Sequence, residues 1–234
     1  MRVPGARRVR AVVARTVLNR VFKDSSTYWR DRYRRGGTSG AGSAGELAHG
    51  KADVINEILK RRGVRSVIEF GCGDGTQLGL GDYATYVGLD VSPEAIRRCI
   101  DRYQHDPTKS FFQYEPSAFH DRLGVMRADL AMSLDVLYHL TEDAVFDTHL
   151  VHLFGAGERF VLVFSDDVDR SSDVAHIRHR RFTPVVAERF PDWRLVERHE
   201  HPLAGDAAVP ETALFSSFFL YERAHPDSTS DPRS

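Results

Sequence analysis

The stretch that decides the fold is Val67–Gly75, which reads Val-Ile-Glu-Phe-Gly-Cys-Gly-Asp-Gly. Its first four residues favour a short buried strand, and the glycines that follow predict a tight turn at the carboxyl end of that strand. Glycine has no Cβ, so the backbone of such a turn can approach a ligand closely. In a doubly wound sheet, ligands bind outside the carboxyl ends of the strands. The stretch therefore predicts a ligand site on the turn after a central strand.

A second strand is predicted over Tyr86–Asp90, and it ends on an acid about twenty residues after the glycines. An acid at this point can accept hydrogen bonds from the hydroxyls of a ribose. Pyrophosphate sites use a Gly-x-Gly-x-x-Gly turn, whereas the glycines here stand at alternate positions 71, 73 and 75. Asp74 would repel a pyrophosphate but suits a ligand that carries an ammonium group.

From Ser66 onward, short apolar runs alternate with longer mixed segments, which is the βαβ pattern of a parallel sheet. Further strands are predicted over 110–114, 130–136, 159–164, 194–198 and 214–221, and helices over 46–60, 93–103 and 141–154. We therefore predict an α/β fold with a Rossmann-like, seven-stranded, mostly parallel sheet and helices on both faces.

The stretches Glu69–Gly75 and Gly88–Ser92 resemble the first and second motifs of class I S-adenosylmethionine-dependent methyltransferases. The resemblance implies that the glycine turn and the nearby backbone cradle the methionine part of S-adenosylmethionine. It also implies that Asp90 binds the ribose hydroxyls and that Val91 lies beside the adenine. The cofactor-binding residues implied by the two motifs are Glu69, Gly71, Cys72, Gly73, Asp74, Asp90 and Val91.

A third motif, Ser133–Asp143, lies where the fourth strand reaches the same edge of the sheet. A histidine near its ordinary pKa can take a proton from an alcohol, so we predict His139 as the general base. Asp135, four residues earlier, is predicted to orient His139 or to bind a metal ion. The alternative is that His139 caps the next helix or fills a gap in the packing.

Two clusters follow the fifth strand. Asp166 lies in an acidic stretch and, together with Asp135, has the oxygen ligands that Mg²⁺ prefers, although an ordinary acidic turn is an alternative. His179 and Arg180 lie in a basic stretch and are predicted to line an acceptor pocket. The alternative for that stretch is a solvated basic face.

The segment Tyr28–Tyr33 precedes a glycine- and serine-rich stretch over 36–45, which we predict to fold over a ligand. The alternative is a flexible linker. With the third motif, these segments resemble bacterial methyltransferases that act on sugar hydroxyls in polysaccharide biosynthesis, including methylated mannose polysaccharides. That resemblance implies that Tyr28, Trp29 and Arg32 close over the cofactor, with Arg32 near its carboxylate.

Bulk composition limits the classes of partner. The 234 residues carry a formal net charge of -1, so we expect no nucleic-acid partner. Only two cysteines occur, which favours a reducing compartment, and we predict a cytoplasmic protein. No run of eighteen apolar residues exists, so no transmembrane helix is expected. The chain is predicted to divide into a basic N-terminal arm or helix (1–24), a methyltransferase domain (25–224) whose N-terminal segment covers the cofactor, and a disordered tail (225–234).

Taken together, the sequence predicts an S-adenosylmethionine-dependent O-methyltransferase that acts on a sugar or glycoside hydroxyl, with Mg²⁺ as a second candidate cofactor. The acceptor is expected to be a small molecule or an oligosaccharide. Three alternatives stay open: a small-molecule methyltransferase of natural-product metabolism, a cofactor-binding module without catalytic activity, and an RNA methyltransferase.

Overall fold

The structure is a computed structural model, and it describes residues 22–204 and 216–224. Most of the predicted N-terminal arm (1–24) and all of the predicted tail (225–234) lie outside the described residues.

The described residues form one seven-stranded sheet with the strand order β3-β2-β1-β4-β5-β7-β6. Strands β1 to β5 pair in parallel, whereas β7 pairs antiparallel with both β5 and β6. This confirms the predicted Rossmann-like, mostly parallel sheet. The strands are β1 Ser66–Phe70, β2 Thr85–Asp90, β3 Lys109–Gln113, β4 Ala128–Leu134, β5 Gly157–Ser165, β6 Trp193–Glu200 and β7 Ser217–Arg223.

The helices are α1 Ser25–Arg34, α2 Gly45–Arg62, α3 Pro93–Arg102, α4 Asp143–Ala156 and α5 Thr183–Arg189. Local sequence explains several of their ends. The hydroxyl of Ser92 caps α3 by accepting from the backbone N–H of Ala95, and Pro93 follows in the first turn. Helix α2 ends at Gly63, whose φ of 60° is the left-handed conformation common at helix ends. In the described part of the chain, no helix combines the length and apolarity needed to cross a membrane.

The core has two layers, one on each face of the sheet. Strand β5 contributes to both: Val161 and Val163 pack on one face, while Phe160, Leu162 and Phe164 pack on the other. Helices α4 and α5 cover the first face, and α2 and α3 cover the second. A strand buried on both faces is continuously apolar, and the apolar run of β5 is therefore typical of a central strand.

The strand order reverses at β1, which lies between β2 and β4. Parallel pairing brings the carboxyl ends of β1, β2, β4 and β5 to one edge of the sheet. A crevice opens at such a reversal because the connections leave the two neighbouring strands in opposite directions. The glycine turn, Asp90 and the third motif stand at the ends of β1, β2 and β4.

Replacing Leu162 by alanine is expected to lower the free energy of unfolding by about 2–5 kcal/mol, because it opens a cavity in the middle of β5. Leu162 is fully buried, whereas Leu123 is 89% exposed. Leu123→Ala is therefore a matched control, with an expected change within about 0.5 kcal/mol. Urea unfolding of both variants measures the difference. Equal losses would contradict the placement of β5 at the centre of the sheet.

Candidate functional site

Two adjoining cavities open at the carboxyl edge of the sheet. The first encloses about 900 Å³ of space, part of it open to solvent, and lies between the glycine turn and the ends of β2 and β4. The second encloses about 840 Å³ of such space and lies beyond the end of β4 beneath α1. The side chains common to both linings, called the shared wall below, are Trp29, Ser39, Ser43, Lys51, Asp135 and His139.

The glycine turn approaches its neighbours too closely for any side chain. Gly71 has a φ of 92°, and an added Cβ would lie 2.5 Å from Cγ2 of Val136. Gly73 has a φ of 59°, and its added Cβ would lie 2.4 Å from Oγ of Ser39. Both glycines line the first cavity, so bare backbone faces any ligand there. The contact of this backbone with the methionine part of a cofactor stays a prediction from the sequence.

Asp90 connects the end of β2 to this turn. Its Oδ2 accepts a hydrogen bond from the N–H of Gly73 at 3.0 Å, and its Oδ1 accepts one from the N–H of Ser92 at 2.8 Å. Burial raises the pKa of Asp90 to about 6. Each carboxylate oxygen can accept more than one hydrogen bond, and Asp90 lines the first cavity beside Val91. The structure thus brings both residues to the predicted nucleoside side of the site.

Glu69 and Cys72 also line the first cavity. Burial raises the pKa of Glu69 to about 7, and the hydroxyl of Tyr86 donates to its carboxylate. A hydrogen bond with Cys99, together with burial, raises the pKa of Cys72 well above its ordinary value. The Cys72 thiol is therefore protonated at neutral pH and acts as a small wall residue.

Asp74 lines neither cavity, contrary to its predicted contact with an ammonium group. Its Oδ1 accepts from the hydroxyl of Ser39 at 3.0 Å and from the N–H of Thr76 at 3.2 Å. Burial opposes ionisation, but these hydrogen bonds outweigh it and lower the pKa of Asp74. Asp74 therefore holds the glycine turn against Ser39.

The glycine- and serine-rich stretch over 36–45 packs on the site. Ser39 contacts Asp74 and also the hydroxyl of Tyr33 at 2.9 Å, and Ser43 belongs to the shared wall. The stretch therefore packs against the glycine turn through Ser39, and its folding over a ligand stays a prediction.

Helix α1 supplies three predicted cofactor residues, but only Trp29 reaches the first cavity. Tyr28 and Arg32 line the second cavity. Trp29 contacts both of them, with its ring 5.4 Å from the Tyr28 ring and 5.5 Å from the Arg32 guanidinium, and it lines the second cavity as well. The Nε of Arg32 donates to the carbonyl of Thr38 at 2.7 Å. The expectation that Arg32 lies near the cofactor carboxylate is therefore not met by this geometry.

His139 lies on the shared wall, edge-on to Trp29 with ring centroids 4.9 Å apart. Its Nδ1 is 3.0 Å from the backbone carbonyl of His176. A carbonyl oxygen only accepts, so Nδ1 carries the proton and the lone pair of the neutral ring lies on Nε2. Burial lowers the pKa of His139 to about 4, so the ring is neutral at pH 7.

Asp135 does not orient His139 as predicted. Its Oδ2 accepts from Nζ of Lys51 at 2.5 Å and its Oδ1 accepts from the hydroxyl of Tyr138 at 2.9 Å. The carbonyl of His176 takes the orienting role instead. Asp135 also has a φ of 59°, which is rare for a residue with a side chain.

Lys51 is the main residue that the sequence analysis missed. It is 1% exposed, although lysine is almost never fully buried without a partner. A signal was present in the helical spacing: Lys51 lies three residues after Ala48 and four before Ile55, which are both buried. A lysine on the buried stripe of an amphipathic helix indicates a functional partner across the interface.

The structure gives the Mg²⁺ hypothesis no support. Asp135 faces the ammonium of Lys51, and the carboxylate of Asp166 hydrogen-bonds to Nδ1 of His179. Within residues 22–204 and 216–224, no three His, Cys, Asp or Glu side chains converge to hold a metal ion.

His179 and Arg180 line neither cavity, so their predicted contact with an acceptor is not seen. His179 is buried against Asp166. Arg180 donates to the carbonyls of Leu140 at 2.5 Å and Thr141 at 2.8 Å. Both residues instead anchor the segment whose His176 lines the second cavity.

Gly73→Ala is expected to destabilise the fold by about 3 kcal/mol, through the left-handed backbone and the clash with Ser39. Gly63 is a matched control, because its φ is +60° but nothing lies within 4 Å of an added Cβ. Gly63→Ala is expected to cost only about 1 kcal/mol. Urea unfolding compares the two, and equal costs would show that the turn has room for a side chain.

Comparison with known proteins finds no matching family model and no matching curated protein. Solved structures do match. The methyltransferase domain of bacterial CtHen1-C is 18% identical, with a TM-score of 0.62 over 77% of this chain and 100% of that chain. Magnesium protoporphyrin IX methyltransferase (ChlM) from Synechocystis PCC 6803 with bound S-adenosylmethionine is 16% identical, with a TM-score of 0.61 over 87% of this chain and 99% of that chain.

The N-methyltransferase NodS from Bradyrhizobium japonicum WM9, in complex with S-adenosylhomocysteine, is 14% identical. It has a TM-score of 0.62 over 87% of this chain and 100% of that chain. The TM-scores show that these proteins and this chain share a fold. The chain therefore has the Rossmann-like fold of S-adenosylmethionine-dependent methyltransferases.

Proposed function

We propose that this chain is an S-adenosylmethionine-dependent O-methyltransferase that methylates a hydroxyl of a sugar or glycoside, with His139 as the general base. The observation that carries the proposal is the shared wall. A neutral imidazole with its lone pair on Nε2 lies between a cavity with a glycine cradle and a second cavity of similar size.

The first cavity fits the cofactor. Gly71 and Gly73 line it with bare backbone, and we infer that the carboxylate of Asp90, which also lines it, accepts hydrogen bonds from the ribose hydroxyls. Beyond Asp90 the lining includes the side chains that suit an adenine ring, namely Val91, Tyr114, Pro116, Leu140 and Val145. When bound, the cofactor supplies the methyl group on its positively charged sulfonium.

His139 is suited to the proton transfer. A hydroxyl is a weak nucleophile until it begins to lose its proton, and Nε2 is the ring atom that can receive that proton. The carbonyl of His176 keeps Nδ1 protonated and the ring in place. A pKa of about 4 keeps the lone pair available at pH 7 but makes the imidazole a weak base. We therefore infer that positioning of the hydroxyl contributes much of the rate.

The second cavity supports an acceptor with both apolar and polar surface. The rings of Tyr28 and His176 stack in its lining with centroids 4.2 Å apart, and Trp29 adjoins them. Aromatic faces bind the C–H faces of pyranose rings, while Arg32 and the histidines supply hydrogen bonds. We infer that the acceptor is a sugar or glycoside, either a small molecule or an oligosaccharide.

Cys72 and Cys99 are free thiols, which suits the proposed cytoplasmic location.

Asp90→Asn is expected to weaken S-adenosylhomocysteine binding by at least about 10-fold, because an amide is a poorer acceptor than a carboxylate and also disturbs the hydrogen bond to Gly73. Calorimetric titration measures the dissociation constants. Asp101→Asn is the control, since Asp101 is an exposed residue on α3. Failure of the wild-type protein to bind either S-adenosylmethionine or S-adenosylhomocysteine would contradict the proposed function.

His139→Asn is expected to lower methyl transfer by about 10²–10⁴-fold, because asparagine keeps a donor for the His176 carbonyl but has no base at the position of Nε2. Transfer of a labelled methyl group to a panel of saccharides and alkyl glycosides measures the rate. The wild-type rate at saturating cofactor is expected to fall as acidification brings the pH toward the His139 pKa of about 4, where protonation removes the lone pair. The variant is expected to lack this decline.

The same assay separates the alternatives. An unchanged rate in His139→Asn would rule out this base. Turnover of phenols or amines, but of no saccharide, would favour a methyltransferase of natural-product metabolism. Tight cofactor binding without turnover of any acceptor would favour a non-catalytic binding module.

A further inference from the structure

Two buried polar side chains line the first cavity, and both lack part of their hydrogen bonding. They are Lys51, which is 1% exposed, and Gln77, which is 7% exposed. A buried donor or acceptor without a partner is costly, so such groups in a cavity indicate a ligand or ordered water. One of the two offers donors and the other offers an acceptor.

Lys51 offers the donors. An ammonium has three N–H bonds, and the hydrogen-bond partner of Nζ in the described part of the chain is Oδ2 of Asp135, at 2.5 Å. The ring of Phe164 lies 5.5 Å from Nζ and provides a weaker contact. Of the lysines and arginines in the described ranges, Lys51 alone lines the first cavity. It is therefore the cation available to a negative group of a ligand there.

Gln77 offers the acceptor. Its Nε2 donates to the carbonyl of Ala48 at 2.9 Å. A carbonyl only accepts, so this bond fixes the orientation of the side-chain amide. The other end, Oε1, is buried and has no hydrogen-bond partner among the described residues. Oε1 of Gln77 can therefore accept a hydrogen bond from a donor group of a ligand.

The two groups lie close to the glycine turn. Ala48, which binds Gln77, is one helical turn before Lys51 on α2. The charge of Lys51 lowers the pKa of the Glu69 carboxyl, and Glu69 lies in β1 two residues before Gly71. This places both side chains at the end of the cavity where the methionine part of the cofactor is expected.

From these contacts we infer that Lys51 and Gln77 recognise the amino-acid end of the cofactor, Lys51 through the α-carboxylate and Gln77 through the α-ammonium. The inference rests on the proposed function. A zwitterion needs one cationic donor and one acceptor, and these two residues supply that pair. Arg32, which the sequence resemblance assigned to the carboxylate, lines the other cavity.

Lys51 also forms an ion pair within the protein. Its ammonium also neutralises Asp135, so loss of Lys51 leaves a buried carboxylate without its cation. A binding experiment must therefore distinguish loss of a ligand contact from a general disturbance of the site. Ligands that differ only at the amino-acid end provide that distinction.

The experiment titrates three ligands into the full chain by calorimetry. S-adenosylhomocysteine has both the carboxylate and the ammonium, its decarboxylated analogue has the ammonium alone, and methylthioadenosine has neither. Lys51→Met is expected to raise the dissociation constant of S-adenosylhomocysteine by about 10- to 100-fold and to change those of the other two ligands by less than about 3-fold. Gln77→Met is expected to raise the dissociation constants of S-adenosylhomocysteine and its decarboxylated analogue by about 10-fold and to leave that of methylthioadenosine unchanged.

Lys60→Met is the matched control, because Lys60 is an exposed residue of the same helix. It is expected to leave all three dissociation constants unchanged. Thermal melting checks that each variant is folded, and Lys51→Met combined with Asp135→Asn removes the unpaired carboxylate if the single variant is unstable. The double variant is expected to show the same selectivity for the carboxylate.

The ligand series also shows what would overturn the inference. If Lys51→Met raised the dissociation constants of all three ligands equally, the role of Lys51 would be structural. Selective loss of S-adenosylhomocysteine binding in Arg32→Met, with none in Lys51→Met, would assign the carboxylate to Arg32. Binding of none of the three ligands by the wild-type chain is a different result, because it would remove the proposed function itself.

Discussion

The site depends on the parallel pairing of β1 with β2 on one side and with β4 on the other. This pairing fixes the point where the strand order reverses and sets Gly71, Asp90 and Asp135 at one edge. The hydrogen bond from the N–H of Gly73 to Asp90 then holds the turn against the neighbouring strand. The crevice between these strand ends is thus a product of backbone pairing, and the side chains only define what it binds.

Features encoded by neighbouring residues could be predicted from the sequence. Strand β5 contains the continuous apolar run Phe160–Phe164. The glycine turn and Asp90 stand at the ends of β1 and β2, so their place at the carboxyl edge of the sheet could be predicted. The aromatic flanks of the stretch over 36–45 predict that it folds over a ligand. His139 was found from the motif around it, although its tautomer depends on the carbonyl of His176, which is 37 residues away.

What could not be predicted depends on packing between distant segments. Lys51 meets Asp135 across 84 residues, and only the docking of α2 on the sheet brings them together. The face of α1 that meets each cavity depends on the rotation of that helix, so the sequence does not indicate that Tyr28 and Arg32 line the second cavity. Asp74, His179 and Arg180 are polar residues near the site whose partners are protein groups, and composition alone does not separate such residues from ligand contacts.

Trp29 belongs to the walls of both cavities. The two cavities therefore do not have independent walls, because the packing of one indole against Tyr28 and His139 shapes both. A substitution at Trp29 would alter both cavities at once, whereas a substitution at Val91 or at Tyr28 would touch the lining of only one.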